Sequence, residues 1–477
     1  MPRSVVTIDD LTNDEVEAIF RLADRFLEEM STPGKPYRIQ GRSPRAEDRI
    51  LATVFYEPST RTRLSFESAM HRLGGQVISC PDGGSTSSAK GESIADTVRV
   101  IENYADVIVI RHSWEGAARV AADYADVPVI NAGDGSHEHP TQTLCDLYTL
   151  RVGQRQKSAE NVEKPLNELL KELTIVLSGD LKHGRTVHSL VYALARFGAR
   201  IIPLPATEEY DFPDHVRHRL ARDYNCFPIT KEDVHGESLP ANVLYITPEK
   251  PHQLSLWQSK EDDFKVQLTS RDQRSIKGIK GVDVFYATRL QIERKDDDAS
   301  QPEYPVIDTE FLKKKPFKKS RVMHPLPRVD ELSYDMDSDA RGIYFQQAAY
   351  GVPVRMALMS ALLELAPGLA TPDNIASRYP EYSRDDGLRC TNRRCVTNKE
   401  SERRYLSPRF LILDDPQLTV RCVYCDHEHH PQVISRSTTR KYLTDTSQIR
   451  EIQPENLVLF ANEEAAQSAG HEPRKTR

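Results

Sequence analysis

The sequence predicts an α/β chain of two doubly wound domains, each a parallel sheet covered by helices, with a smaller domain at the C-terminal end. Three observations carry that expectation. Short β-rich runs alternate with amphipathic stretches along residues 50–323, as parallel strands joined by helical crossovers do. Charged and amide side chains collect just after those runs, where open α/β sheets bind their ligands. Past Pro367 the composition shifts, and four of the seven cysteines fall between Cys390 and Cys425.

At 477 residues and a net charge of −7, the chain has material for two to four domains and no general attraction to nucleic acid or anionic membrane. No apolar run is long enough to span a bilayer, and residues 1–30 lack the apolar centre of a signal peptide. A soluble, cytoplasmic chain is expected, without nucleic-acid or membrane partners. Cys80, Cys145 and Cys226 are scattered, which argues against a secreted disulfide framework.

In chain order, residues 8–30 read as a helix: Thr12 and Glu15 have capping-box spacing, and Val16, Ile19, Phe20, Ala23, Phe26 and Leu27 share one face. Residues 31–48 are polar loop. Ile50–Phe55 is a strand, and Phe66, Ala69, Met70 and Leu73 mark a helix that stops at Gly74-Gly75. Between them lies Glu57-Pro58-Ser59-Thr60-Arg61-Thr62-Arg63. Hydroxyls and guanidinium groups at a helix start, backed by unpaired amides and the helix dipole, make a phosphate site. Residues 81–93 form a long loop of small polar residues. Strands follow at Asp106–Ile110 and Val127–Ile130, then in a second series at Leu173–Leu177, Ala199–Pro203, Val243–Ile246, Val282–Ala287 and Arg321–Met323. A C-terminal helix spans Phe345–Leu365, where Pro353 removes one internal hydrogen bond.

Five strand ends carry arginine, histidine or amide groups. They are Arg111-His112, the run from Asn131 through His139-Pro140-Thr141-Gln142, the run from Gly179 through Gly184-Arg185-Thr186, Arg289 to Arg294, and His324-Pro325-Leu326-Pro327-Arg328. Planar guanidinium forks take carboxylates and phosphates in paired hydrogen bonds, so such a site suits a polyanion. At the C-terminal end, Cys390-x4-Cys395 and Cys422-x2-Cys425 form two close pairs separated by 26 residues. That is the arrangement of a closed four-thiolate zinc site, which leaves no position for substrate and makes the metal structural.

With these motifs in view, residues 5–365 resemble the catalytic chain of aspartate carbamoyltransferase. The resemblance rests on Ser59-Thr60-Arg61-Thr62-Arg63, Lys90-Gly91-Glu92, Arg111-His112, His139-Pro140-Thr141-Gln142, Gly184-Arg185-Thr186-Val187-His188-Ser189, Arg289-Leu290-Gln291-Ile292-Glu293-Arg294 and His324-Pro325-Leu326-Pro327. The ornithine enzyme shares some of these but typically has H-C-L-P at 324–327, and its substrate lacks a second carboxylate. The cysteine segment resembles the zinc domain of the regulatory chain, here fused to the catalytic chain.

The resemblance implies a carbamoyltransferase fold in which residues 1–150 bind carbamoyl phosphate, with helix 345–366 packing back on them, and residues 151–344 bind aspartate. A linker (367–388), a β-rich zinc domain (389–435) and a polar tail without a core contribution (436–477) follow. It assigns carbamoyl phosphate to Ser59, Thr60, Arg61, Thr62, Arg111, His139, Gln142, Leu326 and Pro327. Aspartate goes to Lys90, Arg185, Arg289 and Gln291, and the chemistry to Arg61, Thr62, Lys90, Arg111 and His139. Lys90 would enter the neighbouring subunit's site beside Thr86 or Ser87, which requires an oligomer built from trimers. Glu57 and Glu293 would orient the arginines, and Arg294 would latch the two domains. No cofactor is implied for the reaction. Two alternatives stand beside this: an inactive carbamoyltransferase-like scaffold with a zinc interaction module, or a carbamoyltransferase for another amino acid. A segment between residues 228 and 281 exceeds the family's usual length and carries no readable motif. The stretch from Pro367 to Cys390 is too short for the regulatory chain's nucleotide domain, so nucleotides are not expected to act through that family's usual regulatory site.

Overall fold

The structure, a computed structural model, describes residues 2–31, 45–81, 91–182, 184–205, 208–228, 238–240, 242–246, 278–280, 282–289, 306–313, 317–366, 369, 379–399, 401–413 and 417–474. Lys90, Thr86, Ser87, Gln291, Glu293, Arg294 and most of the 228–281 segment lie outside the described residues.

The first sheet is parallel, in the order β2-β1-β3-β4: β1 (Ile50–Phe55), β2 (Gln76–Cys80), β3 (Val107–His112) and β4 (Val129–Asp134). Around it run α1 (Asn13–Ser31), α2 (Thr60–Arg72), α3 (Ile94–Ile101), α4 (Ala117–Tyr124) and α5 (Pro140–Arg155). The capping box that opens α1 is formed: Thr12 N–H donates to Glu15 Oε2 at 2.7 Å, and Glu15 N–H donates to Thr12 Oγ1 at 3.2 Å. The face expected of α1 is buried at Val16, Ile19, Phe20, Ala23 and Phe26, each large side chain contributing roughly 1.5–3 kcal/mol by leaving water. Strand β2 went unread in the sequence because it lies at the sheet edge, with residues exposed or half-buried throughout.

The second sheet is also parallel, in the order β11-β10-β8-β5-β6. Its strands are β5 (Thr174–Gly179), β6 (Arg200–Pro205), β8 (Val243–Ile246), β10 (Val284–Ala287) and β11 (Arg321–Met323). Helices α6 (Leu166–Leu170), α7 (Arg185–Arg196) and α8 (Asp214–Tyr224) accompany it, and a short parallel pair, β7 (Ser238–Pro240) and β9 (Gly278–Lys280), lies apart. In both sheets the winding reverses beside the central strand, between β1 and β3 and between β5 and β8. Those reversals open crevices at the strands' carboxyl ends.

After the second sheet, α9 (Tyr344–Leu362) returns to pack on α1, α2 and α5. It continues through Pro353, which forgoes the bond its amide would make to the Ala349 carbonyl. The apolar surface around that position, Val354, Met356, Ala357, Leu358 and Met359, is buried, and burial on this scale outweighs one missing bond.

The C-terminal region is β-rich. An antiparallel sheet orders β12 (Glu381–Ser383), β13 (Arg409–Leu413), β14 (Thr419–Cys422) and β15 (Glu428–His429). A second sheet, β18-β16-β17-β19, is built from β16 (Val433–Arg436), β17 (Lys441–Leu443), β18 (Leu457–Phe460) and β19 (Glu472–Pro473), with α10 (Glu463–Ser468) beside it. Two expectations are corrected here. Residues 436–477 are not a coreless tail, since Tyr442, Val458, Phe460 and Ala466 are buried together with Val433. The 367–388 linker is shorter than expected, because β12 pairs with β13 and the Tyr382 hydroxyl accepts the Leu459 N–H at 3.0 Å. Average polarity hid a four-residue apolar strand, Leu457–Phe460, whose partner β16 lies on the far side of β17 in the chain.

Candidate active site

At the end of β1 the chain turns through Glu57 and Pro58 into α2. Ser59, the N-cap, makes no side-chain cap bond; its hydroxyl donates instead to Thr62 Oγ1 at 3.0 Å. The amides of the first turn, which no intrahelical carbonyl can satisfy, are thus left for a ligand at the positive end of the helix. The neighbouring strand β3 ends on Arg111, which is buried, donates to the Ala132 carbonyl at 3.0 Å and pairs with Glu57 at 2.7 Å. Gly133, at φ +116°, makes room for this side chain: a Cβ there would meet Arg111 Nη1 at 2.8 Å and His139 Cδ2 at 3.4 Å. His139 is the N-cap of α5, and its amide donates to Ser189 Oγ of α7 at 3.1 Å, tying the two sheets' helices together at the site.

The second sheet supplies the opposite wall. Thr288 and Arg289 follow β10, Thr186 lies in the first turn of α7, and His324 to Pro327 follow β11. Leu326 sits at φ +54°. Its carbonyl accepts from Arg61 at 2.8 Å across the crevice, and its N–H donates to His324 Nδ1 at 2.8 Å. His324 Nε2 in turn lies 2.8 Å from Glu331. Ser59, Thr60, Arg61, Thr62, Arg111, His139, Gln142, Arg289, Leu326 and Pro327 all line one cavity of about 500 Å3. The Arg61 guanidinium is pushed below its ordinary value, by burial first and then by repulsion from Arg289 and Arg111. Cationic groups held this close favour an anion between them.

Of the remaining expected site residues, Arg185 opens α7, and its side chain, like Lys90 and Gln291 entirely, lies outside what is described. Several residues that sequence reasoning missed reach the same cavity: Ser65 and Cys145 from the first unit, and Gln347, Gly351 and Arg355 from α9. Arg355 is buried and donates to Ser65 Oγ at 2.8 Å. Its one signal in the sequence is a lone cation in an otherwise apolar helix.

The four C-terminal cysteines are buried with their sulfurs within 4.8 Å of one another. Cys390 and Cys425 are 3.6 Å apart, Cys395 and Cys422 3.9 Å. Tetrahedral thiolates about 2.3 Å from a zinc ion stand about 3.8 Å apart, so the set fits that metal. The cysteine domain docks on the first unit: Glu115 N–H donates to the Arg394 carbonyl at 3.0 Å, and Val396 N–H to the Glu115 carbonyl at 2.9 Å. Beside this seam Arg219 pairs with Asp9 and with Asp426, the residue after Cys425. Burial opposes charge on His137, yet Asp134 and Asp426 on either side hold it well above the usual imidazole range.

Comparison with known proteins matches the first unit and the later part of the second together with α9. Residues 3–152 match the family model of the aspartate/ornithine carbamoyltransferase carbamoyl-P binding domain, and residues 234–362 that of its Asp/Orn binding domain. The aspartate carbamoyltransferase catalytic subunit of Clostridium botulinum is 41% identical over 364 residues, 76% of this chain and 98% of its own. The chain belongs to the aspartate carbamoyltransferase family. The catalytic subunit from Thermococcus gammatolerans is likewise 41% identical over 366 residues, 76% of this chain and 97% of its own. Among solved structures, the M. jannaschii aspartate transcarbamoylase catalytic subunit matches with 38% identity and a TM-score of 0.52, covering 76% of this chain and 98% of that one. The Trypanosoma cruzi aspartate transcarbamoylase bound to N-(phosphonacetyl)-L-aspartic acid matches with 30% identity and a TM-score of 0.53, covering 75% and 94%. The catalytic relatives stop short of the cysteine region, where residues 385–435 match the metal binding domain of the aspartate carbamoyltransferase regulatory chain. This aspartate carbamoyltransferase thus carries both modules in one polypeptide.

Proposed function

We propose that the chain transfers the carbamoyl group of carbamoyl phosphate to the amine of L-aspartate, giving N-carbamoyl-L-aspartate and phosphate, an early step of pyrimidine biosynthesis. The observation that carries this reading is the convergence of the α2 start, Arg61, Arg111, His139, Gln142 and Arg289 on one cavity between the two sheets. In this reading Ser59, Thr60, Arg61, Thr62 and Arg111 hold the phosphate. Thr62, Arg111 and His139, which line the same cavity, are assigned to donate to the carbamoyl oxygen. The aspartate amine attacks the carbonyl carbon, a C–N bond forms, and negative charge gathers on that oxygen; each fixed donor aimed there is worth ~3 kcal/mol. The bond from the carbonyl carbon to the bridging phosphate oxygen then breaks, phosphate leaves with the electron pair, and the amine gives up its extra proton to the departing phosphate. Arg61 and Arg111 neutralise the charge growing on the leaving group.

Aspartate carboxylates are assigned to Arg289 from the second unit (151–344), with Arg185, Gln291 and a neighbouring subunit's Lys90. That shared site makes the working unit a trimer or a multiple of it, placed in the cytoplasm. The metal is assigned as structural zinc on Cys390, Cys395, Cys422 and Cys425. All four positions are filled by protein sulfur, so the ion would supply folding energy and no chemistry at the cavity. One assay tests the reading: carbamoyl transfer to aspartate and to ornithine, measured side by side. Product from aspartate alone supports it, and product from ornithine alone, or from neither, overturns it.

A further inference from the structure

Asp146 lies one turn beyond Gln142 on the same face of α5 and is fully buried. Three neutral groups donate to its carboxylate. Gln142 Nε2 and Gln347 Nε2, from α5 and α9, reach Oδ1 at 2.9 and 2.8 Å, and the Tyr286 hydroxyl, from β10, reaches Oδ2 at 2.9 Å. An ionised carboxylate only accepts, so both amides must turn their NH2 groups toward it and their carbonyl oxygens away. The Gln347 oxygen then accepts the His324 N–H at 2.9 Å. His324 in turn holds the Leu326 N–H, which sets the loop whose Leu326 and Pro327 line the cavity. The Gln142 oxygen is left for the same cavity. One buried carboxylate therefore sets the polarity of both cavity walls that meet at α5 and the 324–327 loop.

We infer that Asp146 is a positioning residue that turns the Gln142 side-chain oxygen, rather than its amide nitrogen, toward the carbamoyl nitrogen, and so makes the site select an NH2 group over a methyl of the same size. The inference rests on the function proposed above. An NH2 group donates to such an acceptor, whereas a methyl leaves it desolvated and unpaired, which is the strongest form of discrimination a small pocket has. Tyr286 from β10, Arg355 from α9 and Cys145 of α5 itself are the titratable or charged groups facing Asp146. Burial raises its carboxyl to about 7 against the pull of its hydrogen bonds and of Arg355. A protonated carboxyl carries its own O–H donor and no longer dictates the orientation of both amides.

The test compares carbamoyl phosphate with acetyl phosphate, its methyl isostere, as ligands of the full chain, with inorganic phosphate as reference. In Asp146→Asn the ratio of the two affinities is expected to fall about tenfold or more, while phosphate binds as in wild type. General damage to the site would weaken both ligands together and leave the ratio unmoved. An unchanged ratio in folded Asp146→Asn overturns the inference. If that variant does not fold, the ratio is measured on the wild-type chain from about pH 8 to about pH 6; a fall toward acid supports the role, and a flat ratio overturns it. A wild-type chain that makes no carbamoyl aspartate would instead defeat the proposed function itself, a separate outcome read in the same preparation.

Discussion

Arg61 is exposed, and the hydrogen bond it makes within the chain goes to the Leu326 carbonyl, so its guanidinium is placed for a ligand rather than for the core. Arg61→Ala is expected to lower turnover a hundredfold or more, on the order of 10²–10³ as for other charge-stabilising donors, with an unchanged circular dichroism spectrum. Near-normal turnover would remove Arg61 from the leaving-group role. His112, next to Arg111 at the end of β3, shows the opposite logic. It is buried between Tyr56 and Trp114, and its Nδ1 accepts the Trp114 N–H at 3.0 Å, which requires a neutral ring. Burial, against the pull of Asp134 and Glu57, takes its pKa from 6.5 to about 4. The unfolded chain therefore binds the extra proton first, and stability present above pH 6.5 drains away as pH falls toward 4, by up to ~3 kcal/mol. Denaturant titrations at neutral and mildly acid pH should show a smaller loss for His112→Asn than for wild type, and identical losses would refute the assignment. The cavity-lining residues at the strand ends were legible because they sit in short contiguous runs. Asp146, Tyr286, Gln347 and Arg355 were not, because they look like ordinary helix or strand residues until three elements bring them together.

At the scale of elements, the cavity forms where each sheet reverses its winding. All eight strands expected in the first two domains lay close to their observed bounds, since buried parallel strands are uninterrupted apolar runs. The positive-φ glycine at 133 belongs to the same economy, opening the β4 end so that Arg111 and His139 can share it. Gly133→Ala should raise the KM for carbamoyl phosphate about tenfold or more, since a left-handed backbone costs a Cβ residue about 1–3 kcal/mol and the added carbon displaces Arg111. Steady-state kinetics with saturating aspartate read this directly, and an unaltered KM would show that Arg111 gives way without loss. Pro353 marks the opposite case, a local signal of helix termination overruled by the apolar surface that α9 buries against α1, α2 and α5.

Over the whole molecule, the cysteine domain is part of the first unit's core: Ile94, Val98, Ala118 and Ala121 pack in one cluster with Val396, Phe410 and Tyr424. Its metal therefore supports more than the small domain. Cys422→Ser is expected to lose the bound metal, whose binding contributes ~10 kcal/mol or more to folding such domains, and to uncover this apolar face. Metal analysis, calorimetry and light scattering should show an empty site, an earlier first transition and an altered assembly size, with turnover per folded chain changed less than assembly. Retention of the metal together with wild-type melting would contradict this. The Asp426 contacts to Arg219 and His137 make the same seam a meeting point of all three regions, a few residues from His139.

From the sequence by itself came the two parallel sheets, the strand ends that line the cavity and the four-cysteine site, because each is written in residues close together in the chain. Only the tertiary structure decided that β12 and the last forty residues complete the cysteine domain, that Asp146 governs the amides around the cavity, and that the cysteine domain shares a core with the first unit. Those features depend on contacts between residues up to about three hundred positions apart, where hydrogen bonding and apolar burial are set by the fold and leave no periodicity or spacing in the chain to read.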